Sequence, residues 1–86
     1  MTQMLRRPRV KERKLGREGA DGLFWAEGKL GIIEIDPRLS PKDRLDTIVH
    51  ECLHHYNRRW SEAKVTKTAT DIANILWRDR YRRIEK

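Results

Sequence analysis

Apolar residues in the first half of the chain are spaced for a β-hairpin. Residues 23–26 form an aromatic and apolar run, and residues 30–36 are rich in β-branched residues. Glu27, Gly28 and Lys29 lie between them, and a glycine turn joining two such runs is typical of a hairpin. Residues 10–15 predict a short exposed strand or arm. The pattern therefore predicts a two- or three-stranded antiparallel sheet.

The period of the apolar residues changes after residue 40 to that of an amphipathic helix. Ser40 can cap a helix, Pro41 suits its first position, and Asp43 places an acid in the first turn. Asn57 marks the expected end. The apolar face follows the three- and four-residue spacing of a helix: Leu45, Ile48, Val49, Cys52, Leu53 and Tyr56.

A second helix is expected to begin after Ser61 and to end near residues 77–81. Its inward face would be lined by Val65, Ala69, Ile72, Ala73 and Leu76. The predicted fold class is therefore α+β, with a small antiparallel β-sheet packed on two α-helices.

Length and composition favour one small domain. The chain has 86 residues, of which 37% are hydrophobic, enough for one modest core. Cys52 is the single cysteine, so no intrachain disulfide can form, which suits a reducing compartment. The sequence shows no signal peptide and no membrane-spanning run. These features predict a cytoplasmic protein without membrane contact.

The net charge of +7 is concentrated at the two ends of the chain. Such basic ends favour contact with nucleic acid or with an acidic protein surface. The alternative is that they are solvated segments that aid solubility. The basic residues are Arg6, Arg7, Arg9, Lys11, Arg13, Lys14 and Arg17 at one end, and Arg78, Arg80, Arg82, Arg83 and Lys86 at the other.

The residues with the clearest chemical meaning are His50, Glu51 and His54, which form an HExxH motif within the first predicted helix. Residues four apart lie on one helical face, so both imidazoles can bind one metal ion. Glu51 can then act as general base toward a metal-bound water. The alternative is that both histidines are polar residues of the helix surface.

A catalytic zinc site usually has three protein ligands, so a third is needed beyond His50 and His54. Glu62 is the best candidate, because it lies on the inward side of the second helix one short turn after the first. Asp71 is the rival, but it should face water. His55 points away from His54 and is expected either to donate a hydrogen bond to the site or to be exposed.

Two further features of the site remain open. The oxyanion formed during hydrolysis needs a donor, and Tyr56, Tyr81, Arg58 and Arg59 are the candidates. The strand over residues 31–36 precedes the metal helix. If it forms a sheet edge, it could bind an extended peptide across the metal, and the alternative is an ordinary edge protected by its charges.

Residues 22–83 resemble compact zincin-like metallopeptidases, in particular small phage and prophage proteins. In these, a strand ending IxID precedes TLxHExxH, and a later helix ends in LWR. The matching pieces here are IEID at 33–36, TIVHECLH at 47–54 and LWR at 76–78. The resemblance implies a zincin-like metallopeptidase domain over residues 17–86 after a basic arm over residues 1–16, and a bacterial or phage-infected host cell.

The chain is also similar, more distantly, to ImmA/IrrE-type and SprT-like peptidases. In the first of these groups an ExEAxxFA helix supplies the third metal ligand. Residues 62–69 match that pattern at Glu62 and Ala69, but Lys64 and Thr68 replace its second acid and its aromatic residue. The resemblance implies Zn²⁺ as cofactor and a peptide or protein as substrate.

Together these observations predict a minimal zinc-dependent metallopeptidase. His50, His54 and Glu62 would bind the metal, and Glu51 would activate the water that hydrolyses the peptide bond. The rival from another class is a basic module that binds nucleic acid or protein and has a structural or vestigial metal site.

Overall fold

Three strands and two helices make up the part of the chain that the computed structural model describes, residues 5–16 and 20–84. In chain order they are β1 (Arg9–Glu12), β2 (Gly22–Glu27), β3 (Leu30–Ile35), α1 (Pro41–Tyr56) and α2 (Glu62–Arg78). The predicted α+β class is confirmed. The first four residues of the basic arm, together with the predicted basic residues Arg17 and Lys86, lie outside the described residues.

Strands β2 and β3 form the predicted hairpin. They are antiparallel, with Gly22 opposite Ile35 and Glu27 opposite Leu30. Gly28 has a φ of 59°. Two-residue hairpin turns need such a left-handed residue, and glycine adopts it without the steric cost of a Cβ atom.

The third strand makes the sheet mixed rather than wholly antiparallel. β1 pairs with β3 in the parallel direction, with Arg9 opposite Ile32, so the strand order is β1-β3-β2. The chain crosses from one edge of the sheet to the other after β1 and then returns through the hairpin into the centre. The condition for peptide binding along residues 31–36, that they form a sheet edge, is not met, because β3 is paired on both sides.

Burial along β3 alternates cleanly between the two faces of the sheet. Gly31, Ile33 and Ile35 are buried, whereas the residues between them are half-buried. The buried face packs against α1, and α2 packs in turn on α1 through Val65 and Ala69. The molecule thus has three layers: sheet, α1 and α2.

Both helices begin at the predicted caps. The Ser40 hydroxyl accepts a hydrogen bond from the Asp43 amide at 3.2 Å. The Ser61 hydroxyl accepts one from the Lys64 amide at 3.1 Å. These bonds satisfy amides that have no partner inside their own helix. The starts of both helices are therefore set by local sequence.

The most buried side chains of α1 are polar, which differs from the predicted apolar face. Glu51 is 6% exposed and His55 is fully buried, whereas the apolar residues of that face are only partly covered or exposed. The glycine at position 31 makes room for the His55 ring, since a Cβ atom there would collide with it. Helix α1 therefore packs against the sheet through Glu51 and His55.

His55 also holds the N-terminal segment against the fold. Its Nε2 atom lies 2.6 Å from the Arg6 carbonyl oxygen, and its Nδ1 lies 3.2 Å from a guanidinium nitrogen of Arg58. Arg58 can only donate, so Nδ1 accepts from it and Nε2 donates to the carbonyl oxygen. The sequence predicted either an exposed ring or a role at the site, but the structure makes His55 a core residue.

The carboxylate of Asp36, directly after β3, makes a second contact with the N-terminal segment. It accepts from the Leu15 amide at 3.0 Å and from the Arg38 guanidinium at 2.7 Å, and the Leu15 side chain is fully buried. The Arg38 side chain, helped by the amides of Leu15 and Arg38, holds the pKa of Asp36 well below its usual value. Asp36 thus stabilises the packing of Leu15 through its charged form.

Neither helix in the described part of the chain has the length and apolar character needed to cross a bilayer.

We predict that Asp36→Asn lowers the stability of the protein at neutral pH. Because the folded pKa is depressed, the stabilisation is complete above the unfolded pKa of about 3.9 and is lost as the pH falls further. Urea unfolding should give a lower midpoint for the variant at pH 7 and a smaller difference at pH 3. Asp71→Asn is the control, because that exposed ion pair should contribute little. An equal difference at both pH values would contradict the prediction.

Candidate metal centre

His50 and His54 lie one turn apart on α1 and face the start of α2. Their Nε2 atoms are 3.2 Å apart, and their ring centroids are 4.8 Å apart. Both side chains are partly exposed, at 21% and 23%. The two rings therefore present adjacent nitrogen atoms at the surface of the helix pair.

Glu62 completes this cluster from the first residue of α2. The Ser61 cap starts the helix there, and the short connection after α1 returns the chain toward the histidines. One carboxylate oxygen of Glu62 lies 2.8 Å from His50 Nε2, and the other lies 2.8 Å from His54 Nε2. One ligand atom from each residue lies within 4.8 Å of the others. The structure thus brings the three predicted ligands together.

The donor atoms of these residues are of the kind that zinc binds. Zinc bonds of about 2.0–2.1 Å place tetrahedral ligand atoms roughly 3.3 Å apart. The two imidazole nitrogens are 3.2 Å apart, whereas the two 2.8 Å contacts involve different oxygens of Glu62, so the Glu62 carboxylate would have to shift for one oxygen to share an ion with both rings. Two imidazoles and one carboxylate form a ligand set of catalytic zinc sites, which keep a fourth position for water or substrate.

Glu51 lies beside the cluster, and its carboxylate has no hydrogen-bond partner among the described residues. Glu51 is 6% exposed. Burial raises the pKa of its carboxyl, the adjacent histidines oppose this, and the Glu62 charge raises the pKa further. A carboxyl group with a raised pKa is better suited to accept a proton near neutral pH. Glu51 therefore lies next to the candidate ligands, and the pKa of its carboxyl is raised.

An open cleft of about 330 Å³ extends from His50 and Glu51 along α1 toward its start. Gly22 of β2 lines one side of the cleft. A Cβ atom at this position would lie 2.5 Å from the Thr47 methyl group, which is too close. The close approach of β2 to α1 thus depends on that glycine. The other polar residues that line the cleft are Asp21, Asp43, Asp46, Thr47, Thr66 and Thr70.

The sequence does not predict that these cleft residues lie beside the candidate ligands. Asp43 is expected only as an acid in the first turn of α1. Asp43, Asp46, His50 and Glu51 follow a helical spacing that could have shown them on neighbouring parts of one surface. The contribution of Asp21 and α2 depends on tertiary packing and has no local signal.

The structure also decides among the weaker candidates. Asp71 is exposed and pairs with Lys67 at 2.7 Å, so it faces water as expected. Tyr81 follows the end of α2, about 25 Å from Glu62 along a helix of this length. Arg58 donates to the Gly28 and His55 carbonyls. Neither Tyr81 nor Arg58 is therefore placed to stabilise an oxyanion at this site.

Tyr56 packs its ring edge against His55, and neither it nor Arg59 lines the cleft. The prediction that Tyr56 or Arg59 could donate a hydrogen bond to the oxyanion is thus not supported by their positions.

No family model, curated protein or solved structure matches this chain. The assignment of function therefore depends on the chemistry of the site itself.

We predict that the protein binds one zinc ion and that His50→Ala or Glu62→Ala weakens binding by about 100-fold or more. Loss of a ligand should exceed the tenfold to 100-fold effect typical of losing an outer partner. Competition with a chromophoric chelator would measure the affinity, and Asp71→Ala is the control on the same helix. Unchanged affinity in Glu62→Ala would remove Glu62 from the ligand set.

Proposed function

We propose that this protein is a zinc-dependent peptidase that hydrolyses peptide bonds. The observation that supports the proposal most is the convergence of His50, His54 and Glu62 beside the buried, unpartnered carboxylate of Glu51. The HExxH spacing and the resemblance to zincin-like peptidases agree with this arrangement.

The chain's own residues would divide the work of hydrolysis. A zinc ion, when bound by His50, His54 and Glu62, would polarise the substrate carbonyl and acidify water. The Glu51 carboxylate would accept the proton of the attacking water and later donate it to the leaving amine. Its burial limits competing hydration, and its raised pKa brings it closer to the pH at which it must exchange protons.

Strand β2 is the sheet edge nearest to this site and offers a way to position a peptide. Within the described sheet it pairs only with β3, and Gly22 at its start lies against Glu51. An extended peptide that pairs with the outer edge of β2 would pass the cleft in a defined register. The edge-binding role considered for residues 31–36 thus moves to the neighbouring strand.

We predict that Glu51→Gln reduces peptide hydrolysis by about 10²- to 10⁴-fold, the usual contribution of a general base. Zinc content should be unchanged, because Glu51 is not among the ligands. Digestion of an unfolded protein such as reduced casein, followed by mass spectrometry, would measure turnover.

Asp71→Asn serves as the control and should cleave like the wild type. Equal turnover in wild type and Glu51→Gln would exclude the proposed mechanism. Full zinc loading without any hydrolysis by the wild type would favour a structural metal site instead.

A second candidate function is binding of nucleic acid or another polyanion, and one observation favours it. The exposed residues Arg6, Arg7, Arg9 and Lys11 line one hollow at the β1 edge of the sheet. Arg9 and Lys11 face away from α1, whereas Glu12, opposite the buried Ile35, faces the helix side and pairs there with Arg83 at 3.1 Å. The N-terminal basic residues thus form a basic surface of their own.

We predict that any such binding weakens steeply with salt and that Arg7→Gln/Arg9→Gln lowers the salt slope. Each lost phosphate contact should reduce the slope of log K against log salt by about one. Fluorescence anisotropy with a labelled DNA duplex would measure it, with Lys67→Gln as the control. Equal slopes for the double variant and the wild type would contradict a role for this surface.

A cytoplasmic location belongs to the same proposal and is supported by the single unpaired thiol of Cys52.

A further inference from the structure

The cleft beside the metal centre is acidic in a protein that is strongly basic. Its described lining includes the carboxylates of Asp21, Asp43, Asp46 and Glu51, and none of the lining residues is lysine or arginine. The chain as a whole has a net charge of +7. The basic residues are therefore kept away from this one concave surface.

These carboxylates have almost no partners within the protein. None of the four forms an ion pair with a described residue, and the only hydrogen bond among their side chains joins Asp46 to the Thr70 hydroxyl at 3.2 Å. Glu51 in particular is more than nine-tenths buried, lines the cleft and has no hydrogen-bond partner in the described chain. Buried polar groups without partners are rare in folded proteins. This applies to Glu51 alone, because Asp21 and Asp43 are exposed and Asp46 is half-buried. Four acidic side chains that share one cleft without a cationic partner nevertheless indicate a cationic ligand.

We propose that this cleft is a subsite that binds a lysine or arginine side chain of the peptide substrate, next to the bond that is cut. The inference rests on the proposed peptidase function. The cleft begins at His50 and Glu51, so a residue bound in it lies directly beside the reacting groups. Its volume of about 330 Å³ suits one side chain rather than a folded partner.

The spread of the acids favours a long side chain over a second metal ion. The described chain groups three ligand atoms closely enough to share an ion at His50, His54 and Glu62. Asp21, Asp43 and Asp46 do not form such a group, because they come from the entry to β2 and from separate positions on α1. A flexible ammonium or guanidinium group can contact several separated carboxylates through its multiple donors.

The first experiment is cleavage of a random-sequence peptide library by the zinc-loaded wild type, read by mass spectrometry. Lysine and arginine should be enriched at one position next to the cut. A peptide with that residue and its twin with norleucine then give two values of kcat/KM. We expect the basic peptide to be preferred by about tenfold or more, the effect of charged hydrogen bonds in a partly enclosed site.

Asp21→Asn and Asp43→Asn test the cleft directly, because neither side chain has a partner to lose. Each variant should lower kcat/KM for the basic peptide and leave that for the norleucine twin within about twofold. Asp71→Asn, outside the cleft, should change neither value. Thermal unfolding checks that each variant folds. If only one of the two variants folds, that variant alone is enough to test the cleft. Equal losses for both peptides, or no preference in the wild type, would overturn the proposal.

A binding measurement separates this proposal from the proposed function. Chemical shifts of the metal-free, ¹⁵N-labelled wild type are recorded with each peptide, and the amides of Thr47 and Thr66 report on the cleft. If the basic peptide shifts them and its twin does not, the subsite stands even where no hydrolysis occurs. If both peptides are cleaved equally and neither shifts these amides selectively, the subsite fails while the peptidase function stands.

Discussion

The seating of α1 on the sheet is the constraint on which the rest of the structure depends. Glu51 and His55 are four residues apart and both face the sheet, where Gly31 leaves room for the His55 ring and Gly22 lets β2 pack closely against Thr47. That contact sets the rotation of the helix about its axis. Since successive residues are about 100° apart, His50 and His54 must then lie on the neighbouring side, toward α2. One packing contact thus determines where the candidate ligands point.

The same constraint explains which parts could be predicted from the sequence. The pairing of His50 with His54, the caps at Ser40 and Ser61, and the hairpin turn at Gly28 depend on residues within one or two turns of each other. Local chemistry decides such features. The choice of Glu62 over Asp71 also needed only the helical period and a short connection between the helices.

Features that depend on distant residues could not be predicted in this way. The parallel pairing of β1 with β3 joins residues about twenty positions apart, and no local pattern sets its direction. The burial of His55 depends on the Arg6 carbonyl and on the missing side chain at Gly31. A polar residue in an amphipathic helix is normally predicted to face solvent. The burial of His55 can therefore be recognised only when its tertiary partners are known.

The position of Glu62 bears on the kind of substrate that the site can accept. Its side chain is 69% exposed, so the ligand cluster lies at the rim of the helix pair and not in a deep cavity. The described residues do not enclose it further. Under the proposed peptidase function, specificity would then come from the edge of β2 and the adjacent acidic cleft. Pairing with a strand edge requires a free backbone, so the proposal favours a flexible segment as substrate, whereas a folded domain would have to unfold locally before it could be cut.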